Sequence, residues 1–424
     1  MRFLLLLYLY CFYFNYFRFS LIIMSSYPKD LCLMFITIVG LKTVISDKEF
    51  RRVVFPFLLF IFLITNLSGL YLLGVKGVPF ISLMKRLIIQ SFRFLLSVLE
   101  IYLGFSFLNY IKAEQFIKIQ YFLMRILIGA GIYQFIAFHI KLPYWGLSMT
   151  RSIIAPSATY GIRPNSFIGE PKTFAIFSLM ALTFFAYSYM YKKISLSSFF
   201  IWFILSLFCF IRAESGNGIL GVVLLLLIHF LIYDMNYYLK VVICGAGLWM
   251  AYFIFSQPDL FFSRNLEILL ALSHLDFNTL LYSMDDLVLL PFLALIGNKI
   301  CIFLGFGYGL LTFYASDYME YSTWLIKFAG TSFNIDSNVE VLGIVCNYGV
   351  LLMLLSCLFV IKKKKELTRS CIDSDLLVIS GFLFNCFFLG LFIAGNKVGL
   401  YFSLGFFLRV NSLISENDSS LEKT

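Results

Sequence analysis

Apolar runs of about 20 residues, each closed by lysine or arginine, recur along this chain from its first residues to about residue 412. A run of that length crosses the roughly 30 Å hydrocarbon core of a bilayer as one α-helix, whereas barrel strands need about 10 residues of alternating character. The chain is 61% hydrophobic and 13% charged over 424 residues, against about 25% charged in soluble domains, and its mean hydropathy is +0.91. These features predict an all-α, polytopic integral membrane protein in a single transmembrane domain.

Twelve candidate spans follow, at about 4–24, 30–46, 53–73, 87–108, 119–138, 173–191, 196–212, 218–233, 239–256, 338–361, 376–394 and 398–412. The opening MRFLLLLYLYCFYFNYFRFSLIIMSS lacks a small-residue cleavage site and is read as a retained first span. Lysine and arginine set the sides. With the N-terminus cytoplasmic, the inner segments hold Lys48, Arg51, Arg52, Lys112, Lys118, Lys192, Lys193, Lys240 and the run Lys362 to Lys365, and both termini lie inside. The net charge of +10 then reports topology rather than nucleic-acid binding. Two long outer loops result, 139–172 and 257–337, with four spans between them. A thirteenth span at 287–311 would put the lysine run outside and Pro291, Gly297, Asn298 and Lys299 in lipid, so that stretch reads as one or two helices on the outer surface. The polar tail, 413–424, is cytoplasmic and disordered.

Several chemistries have no handle here. GxxxxGK[ST], GxGxxG and GxSxG are missing, which leaves ATP-driven transport, dinucleotide chemistry and elbow-type hydrolysis without a motif. Most of the nine cysteines fall in apolar runs, and the histidines, His139, His229 and His274, show no metal-binding spacing, so neither a disulfide framework nor a metal centre is expected. Asp373-Ser374-Asp375 reads as a solvated loop. On the fourth span Arg93 and Glu100 share a helix face, which suits a structural tie or a polar groove for a glycan or lipid head equally well.

One stretch concentrates charge: RPNSFIGEPKTFA, residues 163–175. Pro171 fits a first helical position, with Glu170 at the cap beside free N–H groups that attract anions. Arg163 and Lys172 could grip a phosphate while Glu170 orients or deprotonates a hydroxyl. Interfacial anchors and a plain cap explain the same residues equally well on spacing alone. Outer-loop Tyr144, Trp145, Tyr160, Tyr308 and Trp324 could stack on sugars or sit in an interfacial belt.

The order Arg, then Phe-x-Gly-Glu-Pro-x-x-Phe-Ala leading into a span resembles a stretch of the bacterial O-antigen polymerases and the related O-antigen ligases. Ser215-Gly216-Asn217-Gly218-Ile219-Leu220 is similar to the Ser-x-x-Gly entry of that family, although Gly216 stands where an arginine is frequent. Phe303 to Gly309 resembles its Leu-Gly-x-Gly segment. Ser337-Asn338-Val339-Glu340-Val341-Leu342 with Tyr348-Gly349 resembles its Asn-x-x-Leu…Tyr-Gly entry; Ser337 replaces the histidine typical of ligases, which favours a polymerase. The likeness covers residues 163–361.

The resemblance implies a GT-C-like architecture in the bacterial inner membrane and a glycosyltransferase with no cofactor or metal. Donor and acceptor would be undecaprenyl diphosphate-linked oligosaccharides met at the outer face among membrane lipids, and a chain-length regulator protein is a further implied partner. Arg163, Lys172, Arg212 and Arg264 would contact the diphosphate, with Asn338 beside the substrate. Glu170, Asp336 and Glu340 compete for the role of general base, and Glu340 and Arg264 equally suit structural or solvated roles. The ligase reaction and a lipid-linked oligosaccharide flippase are the alternatives; the unequal outer loops favour an enzyme over a transporter of matched halves.

Overall fold

A computed structural model describes residues 2–13, 19–20, 25–26, 28–143, 162–168, 171–213, 215–232, 286–321, 340–370, 373–391 and 399–414. Helices dominate it: α1 (Arg2–Tyr13), α2 (Pro28–Ser46), α3 (Lys48–Gly74), α4 (Phe80–Ser106), α5 (Ala113–His139), α6 (Pro171–Met190), α7 (Leu196–Arg212), α8 (Gly216–Ile232), α9 (Asp286–Gly297), α10 (Lys299–Leu304), α11 (Leu311–Ala315), α12 (Glu340–Ser370), α13 (Ser374–Gly390) and α14 (Leu400–Leu408). Among them α3, α4, α5, α6 and α12 are long and apolar enough to cross a membrane, and α7 and α13 are apolar helices of 17 residues.

Short polar side chains set where these helices begin. Asp47 accepts from the Phe50 N–H at 3.0 Å ahead of α3, Ser195 accepts from Ser198 at 3.3 Å ahead of α7, and Ser215 accepts from Gly218 at 3.3 Å ahead of α8. Each satisfies one N–H that the first helical turn leaves open. Asp373 does the same for α13, accepting from Asp375 at 2.8 Å, while Asp375 pairs with Lys193. The Asp-Ser-Asp sequence, expected as a solvated loop, is a helix cap and an inter-turn ion pair.

The first expected span, 4–24, is not one helix. The helix α1 stops at Tyr13 and would reach only about 18 Å, and Phe19–Ser20 pairs antiparallel with Ser25–Ser26, which turns the chain back into α2. Asn15 and Arg18 interrupt the apolar run there. The last expected span, 398–412, likewise contains a helix of only nine residues, α14. The stretch 287–311 is broken into α9 and α10 around Asn298, and neither is long enough to cross.

Packing is tightest where α14 crosses α4. A Cβ on Gly104 would lie 1.8 Å from the Phe402 carbonyl oxygen, and one on Gly405 would lie 1.9 Å from that of Ile101. The two backbones touch reciprocally through glycine, the small-residue contact by which helices pack in lipid.

The bundle has two chemically distinct ends. At one, Lys193 pairs with Asp375, Arg409 donates to Asn109 at 2.5 Å, Lys363 donates to Asn411 at 2.6 Å, and Phe50 packs on Tyr102 and Phe105. Lys48, Arg51 and Arg52 at the start of α3, Lys112 ahead of α5, Lys192 after α6 and the lysine run within α12 thus gather there. At the other end lie the C-terminus of α5, the N-termini of α6, α8 and α12, and the segment 286–321.

That segment is wedged into a break in α12. Gly349 leaves the helical region, with φ 82° and ψ 161°, so the Cys346 carbonyl loses its helical partner and accepts instead from Phe306 N at 2.6 Å. The Asn347 side chain accepts from Gly309 N at 2.9 Å, Thr65 from Tyr308 N at 3.0 Å, and Arg86 Nε donates to the Gly309 carbonyl at 2.9 Å. Irregular backbone is tolerated here because protein groups satisfy it.

Candidate functional site

The segment 162–168 is held from below by one amide. Gln134, buried near the end of α5, accepts from Asn165 N at 3.1 Å and Ser166 N at 2.7 Å, and returns its own NH2 to Asn165 Oδ1 at 3.1 Å and the Ser166 carbonyl at 3.3 Å. Ser166 also donates to the Leu127 carbonyl at 2.7 Å. A turn of such polarity inside an apolar bundle persists because its amide groups find partners in place of water.

Arg163 projects from this turn, half-buried, and its Nε donates to the Ala213 carbonyl at 3.0 Å. Ala213 follows α7, so the guanidinium sits at the negative end of that helix. Arg212, the preceding residue, lies with its guanidinium 5.0 Å from the Phe135 ring and 5.3 Å from that of Phe208. Lys172 is the second residue of α6. A Cβ on Gly218 would meet that of Ala175 at 3.2 Å, so the first turns of α6 and α8 adjoin. Arg163, Lys172 and Arg212 therefore share one corner with the N-termini of α6 and α8, where the helix dipoles favour an anion.

Glu340 opens α12 at the same end. Val341 N donates to the Leu391 carbonyl at 2.8 Å, just past α13, and α13 reaches the cationic corner through Leu389, which a Cβ on Gly221 of α8 would meet at 3.0 Å. The Glu340 carboxylate lies within electrostatic reach of Tyr348 and Tyr401, whose side chains hydrogen-bond to each other. Tyr308 stacks on Tyr348 with ring centres 5.8 Å apart. Deeper on α4, Glu100 is fully buried and accepts from the Tyr8 hydroxyl at 2.6 Å, and it too lies within electrostatic reach of Tyr401. A polar track of tyrosines thus runs inward from Glu340 to Glu100.

Four sequence candidates are placed: Arg163, Lys172 and Arg212 together, and Glu340 at the same bundle end on another helix. Glu170, Arg264, Asp336 and Asn338 lie outside the described residues, as do Tyr144, Trp145, Tyr160 and Trp324. Sequence reasoning missed Gln134, Tyr8 and Tyr401, and it singled out Tyr348 only within the Tyr-Gly motif. Gln134 carried a signal, an amide inside an apolar run, whereas the tyrosines are lost among the 26 of the chain. Among the described residues no three His, Cys, Asp or Glu side chains cluster as metal ligands.

No protein-family model matches the chain, and no curated protein matches it.

Proposed function

We propose that this chain is a polymerase of lipid-linked glycans, transferring a growing oligosaccharide from undecaprenyl diphosphate to a lipid-linked repeat unit. The observation that carries the reading is the meeting of Arg163, Arg212 and Lys172 with the N-termini of α6 and α8. A diphosphate leaving group accumulates negative charge as the anomeric C–O bond breaks, and cations with oriented N–H donors stabilise that charge without nucleotide or metal. The acceptor hydroxyl attacks the anomeric carbon and gives its proton to a carboxylate, Glu170 or Glu340 or Asp336. One base and one leaving group suffice for direct, inverting displacement.

In this reading the basic end of the bundle faces the cytoplasm, following the positive-inside rule, and the cationic corner faces the outer side of the bacterial inner membrane. The cytoplasmic placement of both termini belongs to the same proposal. The resemblance of residues 163–361 to O-antigen polymerases supports it, and Ser337 in place of histidine favours polymerase over ligase. One observation favours a second reading: the break at Gly349, filled by a glycine-rich turn, is the discontinuous helix that transporters use, which fits a flippase for the same lipid-linked glycan.

The deciding experiment displays surface polysaccharide on a gel from a deletion strain complemented with wild-type chain or Arg163→Ala, with membrane levels matched. Single repeat units on the lipid core, in both the deletion and the variant, are expected of a polymerase. Long polymer left on the lipid carrier would assign the ligase reaction. Loss of all repeat units from the outer face would assign the flippase.

A further inference from the structure

Seven free cysteines lie among the described residues, and two of them meet. Cys32 on α2 donates its thiol to the sulfur of Cys11 on α1, with the two sulfur atoms 3.5 Å apart. Nothing in the spacing of residues 11 and 32 advertises this contact; the antiparallel pairing of Phe19–Ser20 with Ser25–Ser26 accompanies the return of α2 along α1. The other thiols sit differently, as with Cys209, which donates to the Ile128 carbonyl at 3.7 Å.

We infer that Cys11 and Cys32 form a redox pair that a lipid-soluble two-electron oxidant of the quinone class converts to a disulfide stapling α1 to α2. Sulfur atoms in van der Waals contact need to close by only about 1.5 Å to reach bonding distance. Cys32 is buried, while Cys11 is half-exposed on the helix that turns Phe3, Leu7 and Tyr10 outward. An apolar oxidant therefore reaches the pair from lipid. The step balances without water: two S–H bonds break, one S–S bond forms, and the quinone takes the two electrons and two protons to become a quinol. A dithiol reverses it through a mixed disulfide. Oxidation would fix α1, which carries Tyr8 to Glu100 and Tyr13 to Gln120.

The test uses the full chain in membrane vesicles, treated with a substituted benzoquinone or with diamide, blocked with N-ethylmaleimide and digested with trypsin. Cleavage after Arg2, Arg18, Lys29 and Lys42 places the two cysteines in peptides 3–18 and 30–42. Both oxidants are expected to yield a linked 3–18/30–42 peptide that dithiothreitol abolishes and that Cys11→Ser and Cys32→Ser each lack. Full alkylation of both thiols after either treatment would overturn the pairing. A link formed by diamide alone would overturn the quinone as oxidant.

Discussion

Arg163 donates to the carbonyl of Ala213, 50 residues further along the chain, and so ties the turn ahead of α6 to the C-terminus of α7. The same contact aims a cation at the corner where α6 and α8 begin. A guanidinium presents a rigid planar fork of donors that matches a phosphate, which an ammonium does not. Arg163→Lys is therefore expected to lower polymer length without abolishing it, and Arg163→Ala to leave single repeat units. Gel ladders at matched membrane levels check both, and equal ladders for wild type and Arg163→Ala would refute the site.

Gln134 supports that arginine from behind. Replacing it with leucine keeps the volume but leaves the Asn165 and Ser166 N–H groups buried without their acceptor, at a cost of about 1–3 kcal/mol each. Thermal unfolding in detergent should show the loss of stability, and limited proteolysis should cut within 162–168 before the bundle melts. Gln134→Glu keeps an acceptor for both N–H groups and should lose less.

The break in α12 makes a different demand. A Cβ on Gly349 would lie 2.0 Å from the Phe303 carbonyl oxygen, and one on Gly305 would lie 2.6 Å from Tyr348 N, with both residues at positive φ. Left-handed backbone costs an alanine about 1–2 kcal/mol before any clash. Gly349→Ala and Gly305→Ala are expected to dislodge the 305–309 turn and reduce function together, whereas Gly129→Ala, which meets no atom within 4 Å, should behave as wild type. Cysteine accessibility at Tyr308→Cys would follow the dislodged turn.

Part of this architecture was legible in the residues. The long helices α3 to α6 and α12 follow from apolar run length, since a buried peptide group in lipid must bond within its own helix. Helix ends inside apolar sequence were not legible: Arg18 and Asn15 break the first run, yet hydropathy averages over them. The lysine run at 362–365 showed how charge marks a side without fixing the fate of a side chain. Helix α12 continues through it to Ser370, with Lys364 buried on Ser380 at 2.9 Å and over the Tyr187 ring, and Lys363 bound to Asn411. The cations Arg163, Lys172 and Arg212 stood out because charge is rare in this chain, whereas Tyr401 acquires meaning only from the fold, which brings it within reach of Glu340 and Glu100.

That position makes Tyr401 the most informative residue of the polar track. If Glu340 takes the proton from the acceptor, Tyr401 acts by positioning it, through the phenol pair with Tyr348. Tyr401→Phe removes one hydroxyl and no carbon, so packing against α4 should persist and membrane levels should stay near wild type. Loss of a single hydrogen bond between neutral groups corresponds to about 0.5–1.5 kcal/mol, or roughly two- to tenfold in rate. Polymer synthesis by purified protein in vesicles should fall by that factor, with its pH profile displaced if Glu340 is the titrating base. Glu340→Gln should then abolish synthesis, and Tyr401→Phe in that background should add nothing further. Full synthesis by Glu340→Gln would remove this carboxylate from the reaction and leave Glu170 and Asp336 as the remaining bases.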